Sequence, residues 1–192
     1  MVRGPGARLM ASVAGGGDDV SRRVVIETER LVLRELAPGD LDQLAAILGD
    51  PETMRFYPAP YERDRVVEWI EGNQRRYRED GFGLWGLDLK ETGELVGDCG
   101  LTIQEVEGAP FMEVGYHVKK ARWRQGLATE AALACRDHAF DVVGTDRLIA
   151  LIRPENEPSR GVARNLGMRE WRTTVRAGLA HIVYSMTGGD RA

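Results

Sequence analysis

Cysteine is scarce: Cys99 and Cys135 are the only two in 192 residues, too few for a disulfide framework. Both lie in apolar patterns, which predicts two buried free thiols. Histidine is nearly as scarce, with three residues, and no Cys/His/Asp group has the spacing of a metal site, so no metal is expected. No apolar run approaches the roughly 18 residues of a membrane span. The stretch "LMASVA" near the start is shorter than a signal-peptide core and lacks a convincing cleavage region, which makes the cytoplasm the expected location. An excess of positive charge is missing as well. Twenty-six Lys and Arg face 30 Asp and Glu, for a net charge of −4 and a pI near 5.5. A nucleic-acid-binding domain is usually basic. This balance leaves room for a small anion held by a local patch.

What is present reads as one domain. Residues 1–22 hold five glycines and no periodicity, the pattern of a disordered extension, and residues 23–192 are of ordinary single-domain size. Order begins at "ETERLVLREL", which alternates as a strand. Asp40 is a plausible N-cap for a helix carrying Leu41, Leu44, Ala45 and Leu48, with Gly49 as its stop. "ERDRVVEWIEGNQRRYREDG" is a second helix. "GLWGLDL" and "ELVGDCGLTI" form a hairpin, and "FMEVGYHV" follows as a third strand of that group. Then come a helix from about Gly126 to Val142, the strand "RLIALIR", the helix "NEPSRGVARNLG", and a last hairpin turning near Gly178. The order predicts an α/β protein with a mixed sheet of about seven strands and helices on both faces.

One segment stands out. Lys119, Lys120, Arg122 and Arg124 fall within six positions, in front of Gly126 and an alanine-rich helix. The first N–H groups of a helix lack intrahelical partners and carry the positive end of its dipole. Gly126 puts no side chain between them and an anion, and Ala128 and Ala132 keep the near side thin. Leu127, Ala131, Cys135 and Val142 form the face expected to pack on the sheet. Such a start can bind phosphate, with Arg122 and Arg124 adding charge-assisted hydrogen bonds. An ordinary solvated basic loop is the other reading.

The segment "RWRQGLATEA" resembles the acyl-CoA pyrophosphate loop of the GNAT acetyltransferases, Gln/Arg-x-x-Gly-x-Gly/Ala. Gly126 and Ala128 fill the last two fixed positions, and Trp123 replaces the Gln/Arg. Tryptophan there is similar to the branch that acetylates the N-termini of ribosomal proteins, the RimJ/RimL type. That branch also has Glu-[Ile/Val]-Gly-Tyr, here Glu113 to Tyr116, and Asn-x-x-Ser, here Asn156 to Ser159, followed by Leu166-Gly167. The resemblance spans residues 26 to 187. It implies the GNAT fold, mostly antiparallel and splayed between the fourth and fifth strands, and acetyl-CoA as co-substrate. The pyrophosphate would sit on Gln125, Gly126, Leu127, Ala128 and Thr129. The pantetheine would run along the strand through Tyr116, His117 and Val118, like an added strand. Asn156 would cap its helix and touch the cofactor, while Arg160 and Arg164 would reach the adenine 3′-phosphate.

Acetyl transfer to an amine requires a base for the amine, donors for the oxyanion and a proton for the thiolate. Glu113 is the candidate base, sharing a strand face with Phe111, Gly115 and His117. Ser159 is the candidate acid by resemblance. The tyrosine that serves many relatives is replaced by Ala163, which leaves Tyr184 as the alternative donor. His138 is expected on the exposed side of its helix. Phe56, Tyr57, Trp69, Phe82 and Trp85 either shape the acceptor site or belong to the core. The expected acceptor is a peptide α-amine or a small-molecule amine, taken up by a monomer or a homodimer. A larger donor such as succinyl-CoA and a non-catalytic CoA-binding module are the alternatives.

Overall fold

The computed structural model describes residues 23–191; the extension expected at residues 1–22 lies outside them. The opening "ETERLVLREL" contains a turn rather than one continuous strand. β1 (Val24–Glu27) and β2 (Leu31–Arg34) pair antiparallel. Their turn is closed by Thr28, whose N–H donates to the Leu31 carbonyl at 2.9 Å and whose Oγ1 accepts from the Leu31 N–H at 3.0 Å. The sheet therefore has eight strands, not about seven.

β3 (Leu84–Leu89), β4 (Leu95–Val106) and β5 (Ala109–Val118) continue the meander, followed by β6 (Arg147–Ile152), β7 (Arg169–Arg176) and β8 (Leu179–Thr187). The spatial order is β1-β2-β3-β4-β5-β6-β8-β7, with β8 seated between β6 and β7. Every neighbouring pair is antiparallel except β5 and β6. Those two are in ladder register only at Met112↔Leu148 and Glu113↔Ile149. Beyond Glu113, β5 keeps its pairing with β4 alone, so the sheet splays open where the functional strand ends.

Four α-helices cover the sheet: α1 (Leu41–Leu48), α2 (Arg63–Glu79), α3 (Leu127–His138) and α4 (Glu157–Asn165). Leu44, Ile47 and Leu48 of α1 bury themselves against Val66 and Ile70 of α2. Leu127, Ala131, Ala132 and Cys135 of α3 pack on Cys99, Leu101 and Val114 in a separate cluster. Ala132 thus belongs to the core rather than to the helix's thin outer side. The free thiols Cys99 and Cys135 meet at 3.5 Å, both wholly buried, and burial pushes the Cys99 thiol pKa up.

α3 stops at His138 and passes into a π-helical turn, Ala139–Val143. Its wider spacing accommodates an extra residue and shifts the helical phase. Ala139 takes the buried position, and Val142 points outward, 71% exposed. That corrects the packing face read from the helical period. His138 is half-buried rather than exposed, set edge-on to Trp85 at 5.4 Å.

Asp40 does stand before α1, but its carboxylate does not cap that helix. It takes two hydrogen bonds from Arg34, at 2.8 and 2.9 Å, and one from the Ala37 N–H at 2.8 Å. Arg34 also reaches Asp88 at 2.6 Å, tying β2 to β3 and to the entry of α1. Removing one partner of a buried ion pair strands the other charge. Arg34→Ala is therefore expected to lower the unfolding free energy by about 3–5 kcal/mol in urea titrations; a change under about 1 kcal/mol would show that this network behaves like a surface pair.

Candidate active site

The basic segment links the splayed end of β5 to α3. Gly126 adopts the left-handed conformation at φ +79°, and Arg124 does so at φ +60°. This conformation is natural for glycine and uncommon for arginine. The loop is locked by the β1–β2 turn. Arg30 donates to the Gln125 carbonyl at 2.8 Å and to Glu130 of α3 at 2.6 Å, and Thr28 Oγ1 donates to the same carboxylate at 2.6 Å. Burial acts to raise the Glu130 pKa, but these hydrogen bonds outweigh it and hold the pKa below the usual carboxylate range. The β1–β2 turn, unread in the sequence, is therefore what fixes the helix start.

Three of the four cations are already matched. Glu94 accepts from Lys119 at 2.7 Å and from Arg122 at 2.5 Å, and these two bonds lower its pKa. Lys120 faces Glu52 at 3.7 Å. Arg124 makes no ion pair among the described residues, which leaves it as the cation with a free charge beside the helix start. Trp123, at the position that departs from the family pattern, donates its indole N–H to the Val118 carbonyl at 2.6 Å. It thereby pins the loop back on the end of β5.

A cleft of about 480 Å³ opens here. Tyr116, His117 and Val118 of β5 form its floor, and Arg122, Arg124, Gly126, Leu127, Ala128 and Thr129 one wall. Asn156 and Ser159 of α4 and the segment Glu52 to Tyr57 complete it. Asn156 caps α4, accepting from the Ser159 N–H at 3.2 Å. The Tyr116 hydroxyl bridges the splay to the Ser159 carbonyl at 3.0 Å. The Gln125 side chain is not part of the lining. Arg160 and Arg164 also lie outside it: Arg160 is held by Glu157 and Glu170 at 2.9 and 3.1 Å, and Arg164 pairs with Glu157. Tyr184 is buried and gives its hydroxyl hydrogen to Glu170 at 2.8 Å, away from the cleft.

Glu113 sits at the last paired position before the splay. Its carboxylate accepts from Thr102 Oγ1 across the strand at 3.2 Å and from the Leu151 N–H of β6 at 3.3 Å. Burial raises its pKa above the ordinary carboxylate value, against opposing pulls from Arg176 and those hydrogen bonds. Glu113 does not itself line the cleft.

On the same face of β5, His117 heads a chain of polar contacts not foreseen from the sequence. Its Nδ1 lies 2.7 Å from Asp98 Oδ1 and its Nε2 2.7 Å from the Tyr57 hydroxyl. Asp98 Oδ2 accepts from the Trp69 indole at 2.8 Å, and Asp98 is fully buried. A lone aspartate inside the apolar run "LVGDCGL" is the signal that could have found it. Of the remaining aromatics, Phe82 and Trp85 are core, Trp69 supports Asp98, and Phe56 and Tyr57 line the cleft. Among the described residues no group of three or more His, Cys, Asp or Glu could hold a metal ion. No described helix is long and apolar enough to cross a membrane.

Known proteins resemble this chain in sequence and fold. The profile of the acetyltransferase (GNAT) domain matches residues 30–169. The uncharacterized protein YkkB of Bacillus subtilis (strain 168) is 34% identical over 155 residues, covering 80% of this chain and 90% of its own. The crystal structure of the acetyltransferase from Agrobacterium tumefaciens str. C58 superposes with a TM-score of 0.74 at 26% identity, over 89% of this chain and 99% of that one. RimJ from Mycobacterium smegmatis, solved in complex with CoA-disulfide, gives a TM-score of 0.66 at 27% identity, with 83% of each chain covered. With the family domain spanning the β5 loop, the splay and α4, the chain belongs to the GNAT acetyltransferases and is an acetyl-CoA-dependent N-acetyltransferase.

Proposed function

We propose that the protein acetylates a primary amine, a peptide α-amine foremost, by direct attack of the amine on the acetyl-CoA thioester in a ternary complex. The observation that carries this reading is Arg124, which makes no ion pair among the described residues, lining the cleft beside left-handed Gly126 at a helix start that opens on the splay. Diphosphate oxygens would take the free N–H groups of Leu127 to Thr129 and the Arg124 guanidinium. The complex of RimJ with CoA-disulfide supports the cofactor assignment. The acyl arm would lie over Tyr116 and His117. Because Trp123 already occupies the Val118 carbonyl, pairing along β5 would have to use the residues before it.

The nitrogen sheds two protons as an ammonium becomes an amide. Glu113, its proton affinity raised by burial, accepts one of them through a water. Ser159, on the cleft wall at the first turn of α4, gives a proton to the departing thiolate. RimJ and the branch motifs support an N-terminal amine as acceptor, entering on the face shared by Glu113 and His117.

Calorimetric titration with acetyl-CoA tests the cofactor site. Micromolar binding is expected; failure of both acetyl-CoA and CoA to bind would sink the reading. Arg124→Ala should raise the KM for acetyl-CoA about tenfold or more, the loss of a charge-assisted bond of roughly 1.5–3 kcal/mol. Arg160→Ala should leave that KM within about twofold, because an exposed ion pair contributes little.

A further inference from the structure

The cleft contains a second group able to move protons, and unlike Glu113 it stands on the wall itself. Asp98, His117 and Tyr57 form a line from a fully buried carboxylate, through an imidazole only 7% exposed, to a phenol at the cleft. They come from three separate parts of the chain: β4, β5 and the segment between α1 and α2. Asp98 and His117 are direct cross-strand partners in the β4–β5 register. Trp69 of α2 holds the other Asp98 oxygen at 2.8 Å, so the carboxylate cannot swing away. A carboxylate on Nδ1 selects the tautomer that carries its proton there. Nε2 is then the acceptor for the Tyr57 O–H, and the phenol oxygen turns its lone pairs to the cleft.

We propose that Tyr57, backed by His117 and Asp98, strips the acceptor ammonium of its first proton before attack. This assignment rests on the acceptor being an amine, as argued above. An N–H of the ammonium passes its proton to the Tyr57 oxygen as the Tyr57 O–H passes its own to His117 Nε2. The amine then has its lone pair, Tyr57 is again neutral, and the imidazolium is balanced by Asp98. The C–N bond forms, the second nitrogen proton leaves to Glu113, and the C–S bond breaks as Ser159 gives its proton to the thiolate; water then reprotonates Ser159, and Glu113 releases its proton to solvent. The imidazolium later returns its proton to solvent. Tyr57 is the catalytic residue of this step, and His117 and Asp98 are positioning residues behind it.

Other titratable groups facing Tyr57 are Glu113 and Tyr116 of β5 and Tyr61 of its own segment. Tyr57 as a residue is 40% exposed, but its hydroxyl is set against the buried His117 ring, and desolvation of that oxygen, together with the Glu113 and Asp98 charges, raises its pKa. A resting phenolate is thereby disfavoured, which suits a group that conducts a proton without keeping it. The same two carboxylates favour an approaching cation.

The test uses the full chain, acetyl-CoA, and a panel of hexapeptides bearing each of the 20 amino acids at the N-terminus, assayed from pH 6 to 9.5. An α-amine has a pKa of about 7.7–8.0, so it arrives charged at the acid end and neutral at the basic end. Tyr57→Phe should lower kcat about 30-fold or more at pH 6, within the usual range of proton-transfer catalysis. The penalty should shrink to about threefold at pH 9.5, with acetyl-CoA affinity unchanged by calorimetry. His117→Gln should reproduce that pH-dependent loss. Should the substituted histidine disturb folding, the phenylalanine variant carries the test alone. A Tyr57→Phe penalty that is the same at every pH, or kcat within twofold of wild type throughout, would overturn the proposal and leave Tyr57 as packing. Failure of the wild-type enzyme to acetylate any peptide while still binding acetyl-CoA would instead overturn the peptide-amine reading, and this assignment with it.

Discussion

Glu113→Gln is expected to lower kcat by roughly 10²–10⁴-fold, the usual weight of a general base, while making the protein more stable. Both effects follow from one geometry. The carboxylate is half-buried at the edge of the splay and held by Thr102 and the Leu151 N–H, and its desolvation raises its pKa. A glutamine of the same shape keeps an oxygen for the Leu151 N–H and lets the Thr102 hydroxyl rotate to accept, but carries no charge to desolvate. For a group whose folded pKa lies above its unfolded value, the stability it confers is complete below the unfolded pKa. That stability is lost as the pH rises through the folded pKa. The variant's advantage should therefore be absent in acid and develop above the ordinary carboxylate range. At neutral pH it should reach about 2–4 °C in Tm for each kcal/mol gained. The wild-type kcat should fall in acid through a pKa above the ordinary carboxylate value, and the variant should lack that limb. A variant with full activity, or one whose pH profile keeps the limb, would remove Glu113 from the chemistry.

Gly126→Glu should weaken acetyl-CoA binding by about 100-fold or more, roughly 2.7 kcal/mol, in calorimetric titration. A side chain at φ +79° costs on the order of 1–2 kcal/mol in backbone strain. The added carboxylate would also sit at the positive end of α3, the place proposed for the diphosphate. The Cβ would lie 3.5 Å from an Arg30 guanidinium nitrogen, so the new acid would compete with Glu130 and the Gln125 carbonyl for the residue that locks the loop. Gly126→Ala isolates the strain, and a loss of about tenfold is expected for it. Wild-type affinity in the glutamate variant would place the cofactor's phosphates elsewhere.

The elements of strong period were legible: three strands of the meander, the two long helices, the helix start after the basic run. The opening turn was not, because Thr28 to Arg30 contains neither glycine nor proline and the alternation runs on through it. Val142 was misjudged because a helical period extrapolates straight across a π turn. The basic run was visible as charge, but nothing local says that Glu94, 25 residues from Lys119 and 28 from Arg122, matches two of its cations and leaves Arg124 free. Burial of Cys99 and Cys135 followed from the apolar surroundings of each; their contact did not. The polar line behind the cleft is the hardest case. His117 and Asp98 lie 19 residues apart and His117 and Tyr57 60 apart, and only strand register and the return of the α1–α2 segment bring them together.

The placement of β8 bears on how the molecule is made. β6 and β7 are synthesised first, yet neither pairs with the other; each waits for β8. On a ribosome, the N-terminal meander can assemble as it emerges, while β6 presents an open hydrogen-bonding edge until β8 has emerged. The C-terminal part of the sheet thus closes only when β8 joins it. A premature stop anywhere before Leu179 would leave β6 and β7 unjoined beside an assembled meander, a nascent species with an adhesive edge.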